Sequence, residues 1–142
     1  MIALGSDHAG LSLKQEIIDL LDKLNINHKD FGTYSTESAD YPIYGKKVAE
    51  AVKSGEFEKG ILVCGTGIGI SIAANKVKGI RAALCHDVFS AKMTRIHNDA
   101  NILALGARVV GAGLALEIVK TFLCTDFSEE ERHLMRINML ED

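Results

Sequence analysis

Five times along this chain a short β-branched or apolar run is followed by a longer amphipathic stretch, and few architectures satisfy that alternation. Met1–Gly5, Asn27–Phe31, Gly60–Cys64, Ile80–Leu84 and Asn101–Leu105 read as strands. Leu11–Leu24, Tyr44–Lys53, Ile70–Lys76, Val88–Arg95 and Leu114–Phe122 read as helices, with Leu13, Ile17, Leu20, Leu21 and Leu24 at helical spacing in the first. Glu129–Leu140 is expected as a last helix. The run Gly60-Ile61-Leu62-Val63-Cys64 is apolar without alternation, as in a strand covered on both faces. The expectation is a three-layer α/β/α sandwich on a five-stranded parallel sheet, Rossmann- or flavodoxin-like. A chain of 142 residues has room for one such domain, spanning 1–142.

Bulk chemistry removes several function classes. A net charge of −3 argues against wrapping nucleic acid or docking on an anionic membrane. No apolar run is long enough to span a bilayer, and Met1–Gly5 meets Asp7 without a basic leader, so no secretory signal is expected. Cys64, Cys85 and Cys124 are odd in number and widely spaced, which fits neither a disulfide framework nor a zinc site. A reducing cytoplasm is the expected location.

In open parallel sheets ligands bind beyond the carboxyl ends of the strands. The residues there are Ser6-Asp7-His8, Cys64-Gly65-Thr66-Gly67, Cys85-His86-Asp87 and Gly106-Ala107-Arg108. Cys64-Gly65-Thr66-Gly67-Ile68-Gly69 is the most telling stretch. Alternate glycines let successive N–H groups converge, and the following helix start adds partial positive charge. Such a loop suits a phosphate or an enediolate, and its field favours the thiolate of Cys64 if that side chain faces the cleft. Cys64 has an equally direct reading as a small buried hydrophobe ending a core strand. A dinucleotide turn fits poorly, because the third glycine of G-x-G-x-x-G would fall at Ile70 and the extra glycine is Gly69.

Of the histidines, His8 and His97 have chemically equipped neighbours, whereas His28 is expected on the surface, His86 at a strand end and His133 facing solvent. Arg132 and Arg136, four apart, share one face of the last helix. They read either as a solvated face balancing Glu129, Glu130 and Glu131 or as a phosphate clamp.

Taken together, Gly5-Ser6-Asp7-His8-Ala9-Gly10, Asp40-Tyr41-Pro42, Ile61 through Lys76, Gly79-Ile80-Arg81-Ala82, Arg95 through Asn101 and Gly106 through Val110 resemble the ribose-5-phosphate isomerase B family. That family also includes galactose-6-phosphate and allose-6-phosphate isomerases. The resemblance covers nearly the whole chain in order. It implies interconversion of ribose 5-phosphate and ribulose 5-phosphate with no cofactor and no metal.

On these positions the resemblance makes Cys64 the base that takes the C2 proton and returns it at C1. Backbone N–H groups of Gly65, Gly67, Ile68 and Gly69 would hold the enediolate, assisted by the Thr66 hydroxyl. It makes His97 the acid that opens the furanose ring and Asp7 the acceptor of the anomeric proton. Tyr41 and Asn98 would contact the sugar, and His8, Arg108, Arg132 and Arg136 the phosphate. One branch of the family carries a glutamate base later in this loop; Gly69-Ile70-Ser71 holds no acid, which favours Cys64. The resemblance further implies a homodimer with shared sites, possible pairing into tetramers, and a last helix, 129–140, that reaches the partner. The rival expectations are a six-carbon sugar phosphate, with the loop Gly32–Asp40 setting pocket size, and a non-catalytic sugar-phosphate sensor.

Overall fold

A computed structural model describes residues 1–142. The chain folds as β1 (Ile2–Ser6), α1 (Leu11–Lys23), β2 (His28–Asp30), α2 (Tyr41–Lys53), β3 (Lys59–Cys64), α3 (Ile68–Asn75), β4 (Ala82–Leu84), α4 (Val88–Asn98), β5 (Ile102–Gly106), α5 (Ala112–Cys124) and α6 (Glu131–Glu141). All strand pairs are parallel, in the order β2-β1-β3-β5-β4. The layered class is the expected one. Relative to the flavodoxin order, the last two strands are exchanged, which places β5 beside β3 with Cys64 opposite Gly106.

Period-two alternation sorts the strand side chains onto two faces. Ile2, Leu4, Ile61, Val63, Leu103 and Leu105 join one apolar cluster with Leu13, Ile17, Leu21, Ile118 and Phe122 of α1 and α5. Ala3, Leu62, Cys64, Ile102 and Ala104 join a second with Val48, Val52, Ile70 and Ala74 of α2 and α3. A fully buried Leu or Ile contributes about 1.5–3 kcal/mol, so these two layers hold the strand ends, and the loops after them, in fixed register.

Element ends depart from expectation for identifiable reasons. α2 begins at Tyr41 rather than Tyr44, because Pro42 fits a first helical turn, where its missing N–H is no loss. α4 continues past Arg95 to Asn98 and stops at Asp99, whose φ is 45°. His97 and Asn98 therefore lie in the last helical turn, not in a loop. β4 shrinks to Ala82–Leu84. Its first peptide is occupied by the side chain of Asn75, which donates to the Ala82 carbonyl at 3.0 Å and accepts its N–H at 2.8 Å. Lys14 is 1% exposed, paired with Asp30 at 2.8 Å and donating to the Thr33 carbonyl at 2.5 Å. It fastens the end of β2 and the start of the next loop to α1. No helix is long and apolar enough to cross a membrane.

Candidate active site

Strand order reverses between β1 and β3, and the crevice there gathers most of the expected residues. From β1 come Asp7, buried, whose Oδ1 accepts the Gly10 N–H at 3.1 Å, and His8, whose Nδ1 accepts the Ala39 N–H at 3.0 Å. The second bond fixes the His8 tautomer, leaving Nε2 as the nitrogen free to donate. It also ties His8 to the loop that Lys14 holds.

From β3 comes the glycine-rich loop. Gly67, at φ 77°, occupies the left-handed region, and a Cβ there would meet Leu84 Cδ1 at 2.5 Å and the Leu105 carbonyl carbon at 2.8 Å. Only glycine makes this turn without strain. The turn directs the Gly67 N–H onto Cys64 Sγ at 3.1 Å, and the Ile68 N–H onto Thr66 Oγ1 at 3.2 Å. The N–H groups of Gly65, Thr66 and Gly69 have no acceptor within the protein. Gly67 is also the N-cap of α3 and carries no capping side chain, so the helix end is left open. Cys64 is 4% exposed within a core cluster, and its sulfur accepts the Gly67 N–H.

Two further groups border the loop. The Tyr41 ring lies over Gly69, within 2.6 Å of where a Cβ would stand, and Arg108 Nη1 lies 3.3 Å from the corresponding point on Gly65. Arg108 is held there because β5 adjoins β3: the Ala107 and Arg108 N–H groups donate to the carbonyls of Cys64 and Gly65 at 2.9 and 3.0 Å. The crevice therefore joins a thiol, a carboxylate, an imidazole, a guanidinium and unpaired N–H donors. That set can move a proton and hold an anion.

The remaining residues lie elsewhere in the chain. A helix joining parallel strands runs back toward their amino ends, so α4, about 16 Å long at 1.5 Å per residue, carries His97 and Asn98 away from the crevice. α6 packs on α4, and Arg132 and Arg136 are exposed on it. Arg132 Nε donates to Glu130 Oε2 at 2.9 Å, the charge balance of the solvated-face reading.

His133 corrects the expectation of a solvent-facing ring. It is 6% exposed and stacks on His97, with centroids 4.5 Å apart and planes at 23°. The sequence signal for this is its i, i+4 spacing from Ile137, the other buried residue of α6. His28 is partly buried, its Nε2 2.7 Å from Asp22 Oδ1, rather than simply on the surface. His86 lies two residues past the end of β4, where its Nε2 accepts the Gly106 N–H at 3.2 Å. No three His, Cys, Asp or Glu side chains form a metal cage.

Residues 2–140 match the family model described as Ribose/Galactose Isomerase. Over 139 residues the chain is 50% identical to ribose-5-phosphate isomerase B of Escherichia coli K12, covering 98% of this chain and 93% of that protein. Ribose-5-phosphate isomerase B of Clostridium thermocellum has the same fold at a TM-score of 0.97 and 58% identity, over 99% of this chain and 94% of that one. The Mycoplasma genitalium enzyme of that name, solved with ribulose 5-phosphate bound, matches at a TM-score of 0.93 and 40% identity, over 98% and 92%. Likeness extends from the crevice through the whole sheet and its helices, and on that ground the chain belongs to the ribose/galactose isomerase family.

Proposed function

We infer that the chain is an aldose–ketose isomerase that interconverts ribose 5-phosphate and ribulose 5-phosphate through an enediolate. The observation that carries the mechanism is the Gly67 N–H on Cys64 Sγ at 3.1 Å, within a loop whose neighbouring N–H groups are free to bind an oxyanion. A proton α to a carbonyl is weakly acidic, so the reaction needs a placed base and charge stabilisation as the proton leaves. Cys64 takes the proton from C2 of the open-chain aldose. The electron pair moves into a C1–C2 double bond, and negative charge collects on O1. The Gly65, Thr66 and Gly69 N–H groups, with the Thr66 hydroxyl, meet that charge, and the open N-terminus of α3 adds its dipole. Return of the proton at C1, with transfer of the O2 proton to O1, gives the ketose.

Before this step the furanose must open. His97 protonates the ring oxygen and Asp7 takes the proton of the anomeric hydroxyl. His97 and Asn98 lie at the far end of α4 in their own protomer, so the complete site combines the crevice of one protomer with α4 and α6 of its homodimer partner. Arg132 then exchanges the Glu130 carboxylate for phosphate, closing on it with Arg136, His8 and Arg108. Tyr41, over Gly69, borders the sugar. Exposed apolar side chains on α6, among them Leu134, Met135 and Met139, are consistent with a face that docks on a second copy. Six-carbon sugar phosphates are the rival substrates, separated by the room left under residues 32–40.

The test is formation of ribulose 5-phosphate from ribose 5-phosphate by the wild type and by Cys64→Ser. Turnover by the wild type that falls about 10²–10⁴-fold in a folded variant supports Cys64 as the base. Equal turnover by both moves the base elsewhere. Turnover by neither directs the assay to six-carbon sugar phosphates, and binding without turnover of any of them would establish the sensor.

A further inference from the structure

We propose that His133 is a positioning residue for His97: its ring is the platform that sets the tilt of the His97 imidazole in the assembled site. The inference rests on the reading of His97 as the ring-opening acid. Three observations carry it. The two rings are nearly parallel and in contact, at 4.5 Å and 23°, a geometry that restricts rotation of the more exposed partner. His133 has no competing attachment: Nε2 is buried without a hydrogen-bond partner, and the nearest carboxylate, Glu130 Oε2, is 3.8 Å away. Its directional contact is therefore the face it turns to His97. Finally, Ile137, one turn on and 6% exposed, anchors the same side of α6, so the platform sits on a packed helix rather than a loop.

The chemistry agrees with this division of labour. Burial first, then the nearby His97 and Arg132, push the His133 imidazole below its ordinary value against an opposing pull from Glu130. On the proposed mechanism it is the His97 N–H that reaches the ring oxygen. The alignment of that N–H with the ring oxygen, rather than the presence of a second base, is what His133 supplies.

The test compares His133→Leu, which fills the volume without an aromatic face, with His133→Phe, which restores the face without a titratable group. Values of kcat and KM are measured on ribose 5-phosphate beside His97→Asn, the double variant and thermal melts. His133→Leu is expected to lower kcat about 10- to 100-fold with KM within about twofold, the cost of a misplaced acid. His133→Phe should recover kcat to within about threefold of wild type, and His97→Asn/His133→Leu should be no slower than His97→Asn alone, since the two act as a unit.

Unchanged kcat in His133→Leu overturns the proposal, as does a loss confined to KM, which would mean that α6 and its arginines had shifted. Equal loss in the Leu and Phe variants overturns it too, because then the nitrogen and not the ring is required. If His97→Asn itself keeps full turnover, the reading of His97 has failed, a different result from wild-type behaviour of His133→Leu beside an inactive His97→Asn.

Discussion

Two cysteines stand at the carboxyl ends of β3 and β4, the strands on either side of β5, and their surroundings differ. Cys64 ends β3 and Cys85 directly follows β4; each is buried, and each is followed within four residues by a helix. They point to different faces: Cys64 belongs to the cluster under α2 and α3, Cys85 to the one under α1 and α5. The larger difference lies in the helix ends. α3 starts from Gly67, which has no side chain to cap it, so its dipole and N–H groups remain available to Cys64 and to a ligand. α4 starts from Asp87, whose carboxylate accepts the Ser90 N–H at 2.7 Å and the Ser90 hydroxyl at 2.9 Å. Its helix end is already neutralised. Burial, and secondarily the Asp87 charge, push the Cys85 thiol up to about 11. On the proposed mechanism, the cysteine that serves as base is the one whose following helix leaves its N-terminus unsatisfied, and the one beside a self-capped helix is not used.

The largest effect that could break this contrast is a crossed pair of substitutions. Cys64→Ser should lose about 10²–10⁴-fold in kcat. Cys85→Ser should keep kcat within about twofold yet lose about 1–3 kcal/mol of stability for a hydroxyl buried among apolar groups. Steady-state kinetics and urea melts on both variants decide it, and a kinetic loss at Cys85 would void the comparison. Next in size is Gly67→Ala, which forces a Cβ into a left-handed turn and onto the Leu105 backbone. The expected cost is about 1–3 kcal/mol in the same melts, with a fall in kcat as the N–H leaves Cys64.

A third measurement addresses Cys85 alone. In Cys64→Ser/Cys124→Ser the remaining thiol should ignore maleimide at pH 8 and begin to ionise only near its value of about 11. Rapid labelling of the native protein at pH 8 would contradict its assignment as inert. The smallest effect is at the cap itself. Ser90 holds the Asp87 carboxyl below its ordinary value through backbone and side-chain hydrogen bonds. A depressed carboxyl stabilises the fold above its unfolded value and loses that contribution as pH falls through its folded one. Asp87→Asn should therefore flatten the acid end of a melting-temperature profile below about pH 4 while leaving neutral-pH activity alone.

Much of this contrast is legible in the order of residues alone. The unbroken apolar run 60–64 announces a central strand, and the glycines after it announce a turn that frees backbone donors. The strand-end rule then gathers Asp7, His8, Cys64 and Arg108 into one crevice. What stays hidden depends on distance across the sheet. Nothing local shows that β5 inserts beside β3, although that adjacency is what seats Arg108 over Gly65. A histidine among charged residues on a terminal helix gives no local sign of burial, and the partner that covers His133, His97, lies on another helix. Lys14 is inconspicuous for the same reason, since its counter-charge Asp30 sits on β2. The early start of α2, by contrast, has a local marker in Pro42, whose tolerance for a first turn extends the helix back to Tyr41.

The side chain of Asn75 on the outer edge of β4 has a consequence for how the protein behaves in a crowded cell. By both giving and receiving a hydrogen bond at Ala82, the amide imitates the peptide of a sixth strand and ends the ladder there. A foreign β-strand arriving at that border finds its first pairing position occupied, and the opposite border, β2, offers only three residues with Lys29 among them. The sheet is thereby sealed against growth by addition, and self-association is left to helical faces, where side chains rather than generic backbone choose the partner.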